Sequence, residues 1–510
     1  MSLAGRSSSE LSKSVRPMVK KNQTARLLDA AIIGCLFLFA VAAPNSIAAT
    51  QTAWLLGMAF WLLRFAFYPR PKLQRTPLDY LLLGFFILSG ISCLFSYEPM
   101  VSLGKMRAAS LFTIVYLFSQ NVPSRRVIRL LALTLVSACL INVIFTGAQR
   151  LIGVGVKIHS VAETSPLYKA GVRDGDTLLT VDGVKLHDPQ ELVNELSKPD
   201  KKVVTVTAYR HEWMIPCKIP RGALLTGNNA LEQLGIGGWS KGRDWRASGL
   251  YGNFVTYAEV LQLILALTVG LFVALQRKRS LAGLGLLVAL AGMIGALVLT
   301  VTRASWLAFV VSTALILLLS LSRRAVLVAG LLAIPLILAG LLVLQQKRNV
   351  GFIDQQDQST SWRETVWREG FHLLVSKPRH LLVGIGMDAI KAHWREWGMF
   401  DKGRLPWGHM HSNPLQIALE RGVPALLVWL GLLFVYARTI WRTLRDKTRL
   451  DWIEHGILLG ALGGLVGFFV SGQVHYNWGD SEVVMIFYFV MGLVLAIYRQ
   501  TVLSDQNPMV

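Results

Sequence analysis

About a dozen apolar runs, each of roughly 16 to 24 residues, punctuate this chain, and a segment of that length and character has little choice of structure. In hydrocarbon every backbone N–H and C=O must find its partner within the segment, so each run is predicted to be a membrane-crossing helix. The runs fall near 27–44, 46–65, 78–96, 107–122, 127–147, 254–275, 280–301, 304–321, 325–344, 416–439, 454–472 and 481–498. Composition agrees, because 53% of the 510 residues are hydrophobic and only 16% are charged, too apolar a balance for an ordinary soluble enzyme. The expected fold class is an all-α polytopic membrane protein with about 12 transmembrane helices.

A formal net charge of +22 raises nucleic acid as a partner, but its distribution argues against one. Basic residues collect in alternate connections: Arg6 to Arg26, Arg64 to Arg75, Arg125 to Arg129, Arg277 to Arg279, Arg323 with Arg324, and Arg438 to Arg449. This positive-inside pattern puts both termini in the cytoplasm and the two long connections, near 148–253 and 345–415, on the external side. The basic tail is too long for the n-region of a cleaved signal, so the first run is expected to stay as a span. Of four cysteines, Cys35, Cys93 and Cys139 fall within runs and only Cys217 lies outside. No external disulfide and no cysteine-built metal site are expected.

Between about Leu151 and Arg221 the pattern changes. Val154–Ile158, Thr177–Val181, Val203–Tyr209 and Trp213–Ile219 read as strands, with a turn at Asp182-Gly183. HDPQEL opens a helix with Asp188 as N-cap, Pro189 at the first helical position and Glu191 three residues after the cap. Through SPLYKAGVRDGDTLLTVDGVKLHDPQELVNEL this segment resembles a bacterial PDZ domain of the kind found in periplasmic proteases. The chain thus divides into an N-terminal membrane region of about five spans over 1–150, a PDZ-like insertion over 151–222, and a C-terminal membrane region of about seven spans over 223–510. The resemblance implies a peptide groove whose amide-donating loop is Leu151, Ile152, Gly153 and Val154, suited to a protein C-terminus or other peptide. A spacer that binds nothing is the alternative.

An external PDZ domain on a multispanning chain suggests an intramembrane metalloprotease, which needs two histidines four apart on a helix with a glutamate between. The chain offers only His211-Glu212-Trp213-Met214-Ile215, without the second histidine and on an expected strand. A transporter built of repeats with mid-membrane binding groups fits no better, because the halves are dissimilar and the ionisable residues gather at span ends.

Those ends carry the chemistry. WGHMHSNPLQIALERG places His409, His411 and Asn413 ahead of an apolar stretch from Val423, and imidazoles at a membrane surface suit acid–base work on a lipid-borne substrate. Arg303 lies where one run exits and the next begins, Arg246 just ahead of the run at 254, and Arg363 in the second long connection. Each alone reads as an interfacial arginine. Converging, the three would make a cationic pocket for a diphosphate, which arginine grips bidentately.

The order RASGLYGN, TRASWLA, SWRETVWREG followed by GIGMDA, and HMHSNPLQIALERG is similar to the O-antigen ligase and polymerase family of bacterial membrane glycosyltransferases. The resemblance covers about 20–150 and 223–500 and implies a GT-C-like helical enzyme of the bacterial inner membrane. Such an enzyme takes a glycan from undecaprenyl diphosphate at the periplasmic face without metal, nucleotide or other cofactor. It implies His411 as the family's histidine, Arg246 and Arg303 as its donor-diphosphate arginines, Arg363 as a loop arginine, and Glu420 as a further matched position. Because Ser412 separates His411 from Asn413, either His411 or His409 is the base. Glu420 equally suits a structural partner for Arg421. The implied reaction has the base take a proton from an acceptor sugar hydroxyl as it attacks the anomeric carbon, while the arginines stabilise the departing diphosphate. Attachment of O-antigen to lipid A-core, polymerisation of lipid-linked repeat units and transfer to protein hydroxyls all fit. A PDZ-bearing scaffold or transporter that keeps only the fold is the non-enzymatic alternative.

Overall fold

The computed structural model describes residues 23–199, 202–210, 213–243, 245–320, 322, 358–406, 408–446 and 450–506. The basic tail ahead of residue 23, the run near 325–344 and the His211-Glu212 pair lie outside them. The first membrane region comprises α1 (Gln23–Ala42), α2 (Ile47–Arg64), α3 (Asp79–Leu94), α4 (Pro99–Ala109), α5 (Thr113–Asn121) and α6 (Arg125–Ile152). A single 3-10 turn at Ser110–Phe112 joins α4 to α5, so the expected run at 107–122 is the second half of a longer broken helix, Pro99–Asn121.

The inserted domain follows α6 without a linker. Its elements are β1 (Val154–Val161), α7 (Pro166–Lys169), β2 (Thr177–Val181), β3 (Val184–Lys185), α8 (Pro189–Leu196), β4 (Val203–Arg210), β5 (Trp213–Pro220), α9 (Ala230–Leu234) and β6 (Ile236–Gly242). The sheet is antiparallel in the order β5-β4-β2-β1-β6, with β3 beside β2. Alternating residues such as Val204, Val206 and Ala208 point into its own core with Leu192 and Leu196 of α8. Asp188 caps α8 through Gln190 N, and the Glu191 carboxylate accepts from His187 N at 2.7 Å, one residue earlier than a strict capping box requires. The sheet does not end at residue 222, where the sequence places the domain's end, because β6 returns to pair along β1.

The second membrane region contains α10 (Phe254–Ala274), α11 (Leu281–Leu299), α12 (Arg303–Ser320), α13 (Gln358–Val375), α14 (Pro378–Val383), α15 (Asn413–Arg421), α16 (Val423–Arg445), α17 (Trp452–Ser471) and α18 (Ser481–Gln506). Among the described residues nine helices are long and apolar enough to cross a membrane, and α3 is a shorter apolar one. The protein is polytopic.

The expected single span over 416–439 is two helices. Gly422, at φ +84°, breaks it, since a Cβ there would run into the Leu382 carbonyl. The short α15 that results buries Asn413, Gln416, Glu420 and Arg421. Packing at the centre is set by glycine. Gly456, Gly460, Gly463 and Gly467 lie along one face of α17, and a Cβ on Gly456 would come within 2.7 Å of Leu271 Cα, one on Gly460 within 2.5 Å of Leu267 Cα. Lipid tails are as apolar as leucine, so close backbone approach of this kind is what holds α10 against α17.

Candidate active site

At the end of the bundle where α10 begins and α17 finishes, four loops converge. The HMHSN loop is pinned from one side by α13: the Trp367 indole donates to Met410 O at 2.9 Å, Gly370 gives Met410 its room, and Trp362 meets the His411 ring edge-on at 4.5 Å. Positions 362, 366 and 370 share a helix face, so SWRETVWREG is a docking face for this loop, with Val366 and Met410 fully buried. His411 adopts a left-handed backbone, φ +49°, and its N–H donates to His409 Nδ1 at 3.1 Å. Ser412, which separates His411 from Asn413, is the N-cap of α15.

Asn413 is fully buried and acts on the protein. Its amide donates to Asn477 Oδ1, its carbonyl accepts from Trp478 N at 3.0 Å, and its backbone N–H donates to Gly472 O at 2.7 Å. It therefore locks the HMHSN loop to the 472–478 loop. Glu420 has a comparable place: its carboxylate accepts from Asp388 N, Gln416 Nε2, Arg421 Nη1 and the Tyr476 hydroxyl at 2.8 to 3.2 Å. GIGMDA explains itself in the same contact. Ile385 N donates to Leu419 O and Gly386 N to Glu420 O, an approach so close that side chains at 384 and 386 would strike Glu420 and Ser96.

Arg246 is held at one edge of the turn between α11 and α12. Its Nε donates to Thr300 O at 2.7 Å and its Nη2 to Val301 O at 2.9 Å and Thr302 Oγ1 at 3.0 Å, while the guanidinium lies 3.6 Å over the Phe254 ring. That turn carries Arg303 as its next residue, and Val301 takes φ +52°, an unusual conformation for a β-branched residue. Arg246, Arg303 and Arg363 lie near enough for their charges to act on one another: burial first, then Arg303 and Arg363, bring the Arg246 guanidinium down to about 10. The same field reaches the histidines. Burial pushes His409 down to about 4, helped by Lys391, and burial with the charges of His409, Arg363 and His475 pushes His411 lower still.

His475, in the loop between α17 and α18, completes the cluster, with its Nδ1 2.8 Å from Glu259 Oε1 of α10. Burial, with Arg363 and Arg246, brings it to about 3. All three imidazoles are consequently neutral near pH 7, and a neutral ring has one donor and one acceptor nitrogen. His409 Nδ1 accepts the His411 amide, so His409 carries its proton on Nε2 and is a donor. His475 turns Nδ1 to the Glu259 carboxyl. A cavity of about 170 Å³ opens beside His409, walled by Glu420, Arg421, Tyr476, Lys105 and Asp388, far more than the ~10–15 Å³ one water needs.

Histidine and arginine from five separate segments meeting at one bundle end, with α11 to α16 supplying most of them, invite comparison with known proteins. Residues 287–430 match the family described as O-antigen ligase, and residues 157–210 match a PDZ domain. Over these stretches the chain is similar to an O-antigen ligase and, ahead of it, to a PDZ domain. No curated protein matches the chain. The O-antigen ligase match holds Arg303, Arg363, His409, His411 and Glu420, and leaves Arg246 ahead of it and His475 beyond it. Among the described residues no group of three His, Cys, Asp or Glu side chains gathers as a metal site would.

The loop proposed to donate amides to a peptide lies at the junction of α6 and β1. Leu151 and Ile152 form the last turn of α6 and are exposed, and the Gly153 N–H already donates to Gln149 O at 2.8 Å. His475, Glu259 and Tyr476 escaped the reading of the sequence. The signal was there in SGQVHYNWGDSE, polar beyond what a tight connection between two spans needs, and in a glutamate inside an apolar run.

Proposed function

We propose that this protein is a glycosyltransferase of the bacterial inner membrane that moves a glycan from undecaprenyl diphosphate to an acceptor hydroxyl at the periplasmic face, as an O-antigen ligase acting on lipid A-core. The observation that carries the reading is the joining of Arg246, Arg303 and Arg363 with His409, His411 and His475 in one field at a bundle end, most of them within the O-antigen ligase domain. A diphosphate would bring negative charge to this cluster of cations and imidazoles. Its binding offsets the mutual repulsion of the arginines and raises the imidazole pKa values toward the neutral range, where a general base works best. The base is then poised by the substrate itself.

In this reading His411 accepts the proton of the acceptor hydroxyl as oxygen attacks the anomeric carbon. The bond to the diphosphate breaks, and the arginines take up the charge on the leaving oxygen. His409, a donor through Nε2, serves the oxyanion rather than the hydroxyl. His475, oriented by Glu259 as a carboxylate orients a catalytic imidazole, supports proton transfer beside His411. Asn413 and Glu420 hold the loops that carry these rings.

The test uses purified full-length protein with undecaprenyl diphosphate-linked glycan as donor and lipid A-core as acceptor. A glycan-bearing lipid A-core that wild type makes and His411→Ala does not make supports the reading. Glycan chains lengthened on the lipid carrier instead would identify a polymerase. No transfer to either acceptor by well-folded wild type would reject the glycosyltransferase reading.

A further inference from the structure

The cavity beside His409 has an unbalanced wall. Five charged side chains line it, the cations Lys105, Lys391 and Arg421 against the carboxylates of Asp388 and Glu420, which leaves one positive charge over. Lys105 Nζ of α4 lies 2.9 Å from Asp388 Oδ2 and Lys391 Nζ lies 2.8 Å from Asp388 Oδ1, so two lysines, each nearly half exposed, share one carboxylate. Burial works against the charge on Asp388, but hydrogen bonds and charge from Lys391 and Lys105 outweigh it and hold the carboxyl below its ordinary value. Its backbone is fixed too, by the bond from Asp388 N to Glu420 Oε1 at 3.0 Å.

Arg421 is buried and under-partnered. Its Nη1 donates to Glu420 Oε2 at 2.8 Å and to the Tyr476 hydroxyl at 3.4 Å, its Nη2 reaches the Met387 sulfur at 3.1 Å, and its Nε has no partner among the described residues. A guanidinium carries five N–H donors and a thioether is a weak acceptor, so an acid oxygen in the cavity would give Nη2 the partner that sulfur does not. The rest of the lining suits a sugar better than a bare anion. His409, Gln416 and the Tyr476 hydroxyl are polar, while Phe85, Trp478 and Tyr488 supply aromatic surface. A volume of about 170 Å³ falls short of the ~300–1,000 Å³ of sites for drug-sized ligands, which leaves room for a single ring. None of Arg246, Arg303 and Arg363 lines this wall. The His409 ring, 4.0 Å from that of His411, stands at the boundary with the arginine cluster. We propose that this cavity binds one sugar bearing a phosphate or carboxylate, its acid group gripped by Lys105, Lys391 and Arg421 apart from the donor diphosphate. The binding stands by itself; that the sugar belongs to the acceptor or to the donor glycan rests on the transfer reading above.

Saturation-transfer NMR on purified full-length protein in nanodiscs reads the binding without turnover. Glucose 6-phosphate and glucuronate are titrated to tens of millimolar, with glucose as the uncharged control and inorganic phosphate as competitor. Lys105→Gln with Lys391→Gln removes charge at half-exposed positions, and Ala108→Trp fills the cavity from α4 with every charge kept. Wild type should bind at least one of the acid sugars roughly tenfold tighter than glucose, and both variants should weaken it by roughly tenfold or more. Four results would each overturn the proposal: no binding by wild type, glucose bound as tightly, acid-sugar binding that survives either variant, or inorganic phosphate competing as tightly as the sugar binds. In the transfer assay Lys105→Gln should raise one KM about tenfold and leave kcat within about twofold. A rise for lipid A-core assigns the sugar to the acceptor, and a rise for undecaprenyl diphosphate-linked glycan assigns it to the donor. Both KM values unchanged would remove the cavity from transfer and overturn the assignment. If the acid sugars bind and wild type transfers nothing, the transfer reading falls and the site stands.

Discussion

Arg246→Lys keeps the charge and discards the geometry, and the cost can be worked out bond by bond. The guanidinium reaches Thr300 O, Val301 O and Thr302 Oγ1 at 2.7 to 3.0 Å. An ammonium is a point donor on a different stem and serves one of these acceptors at a time. Two charge-assisted bonds are lost, each worth about 1.5–3 kcal/mol. We take the low end, roughly 3 kcal/mol, because water can hydrate carbonyls freed at a bundle end. Those bonds restrain Val301 at its positive φ, a conformation that costs on the order of 1–3 kcal/mol, so the freed turn relaxes and Arg303 leaves its place. Expressed fully in the transition state, the loss lowers kcat/KM about 10²-fold. The assay is initial-rate transfer from undecaprenyl diphosphate-linked glycan by purified protein, with a thermal melt alongside. A rate within about threefold of wild type, with an unchanged melt, would refute the idea that Arg246 holds this turn.

His411→Ala should abolish transfer with insertion and melting unchanged, and His409→Ala should leave measurable activity; equal loss from both would make the donor and base assignments wrong. Glu259→Gln removes the carboxyl that holds His475, and kcat should fall roughly tenfold with donor KM unchanged, so an unaltered kcat would remove His475 from the mechanism. The pH profile has a defined sign. With imidazoles held neutral down to about 4, the acid limb of kcat/KM, which reports free enzyme, should stay flat from pH 7.5 to 5, whereas diphosphate binding moves the limb of kcat to higher pH. An acid limb of kcat/KM near the ordinary histidine value of about 6.5 would contradict the burial of these rings. Gly460→Val forces a side chain against the Leu267 backbone and should cost at least about 1–3 kcal/mol, read as a lowered melting temperature of the full-length protein.

Hydropathy made the spans legible because lipid leaves a long apolar segment one solution, and strands such as Thr177–Val181 were legible because alternation and turn residues agreed. The break at Gly422 was not, since an apolar run hides a glycine whose role is set by the Leu382 carbonyl, a residue forty positions away. Strand β6 was invisible for a related reason: IGGWSKG has neither alternation nor β-branched residues beyond Ile236, and it is a strand only because β1 offers an unfilled edge. In the candidate site, motif order singled out His411 and the arginines as candidates, while the pairing of His475 with Glu259 depends on two spans being pressed together by glycine. Asn413 and Glu420 stand in the same motif as His411 in the sequence, but that their polar atoms face protein partners is a tertiary fact.

The inserted domain enters at Val154 and leaves at Gly242, and these two residues are partners in one ladder, so its ends lie about 5 Å apart. A unit with adjoining ends is a cassette: it can be gained or lost in a bundle loop without stretching the helices on either side. The place to cut is therefore fixed. Excision at 222 would strand β6 on the bundle with a bare hydrogen-bonding edge, an invitation to pair with a neighbouring molecule. Excision from 154 through 242 removes both sides of the seam together, and only that deletion can report what the membrane bundle does without its insert.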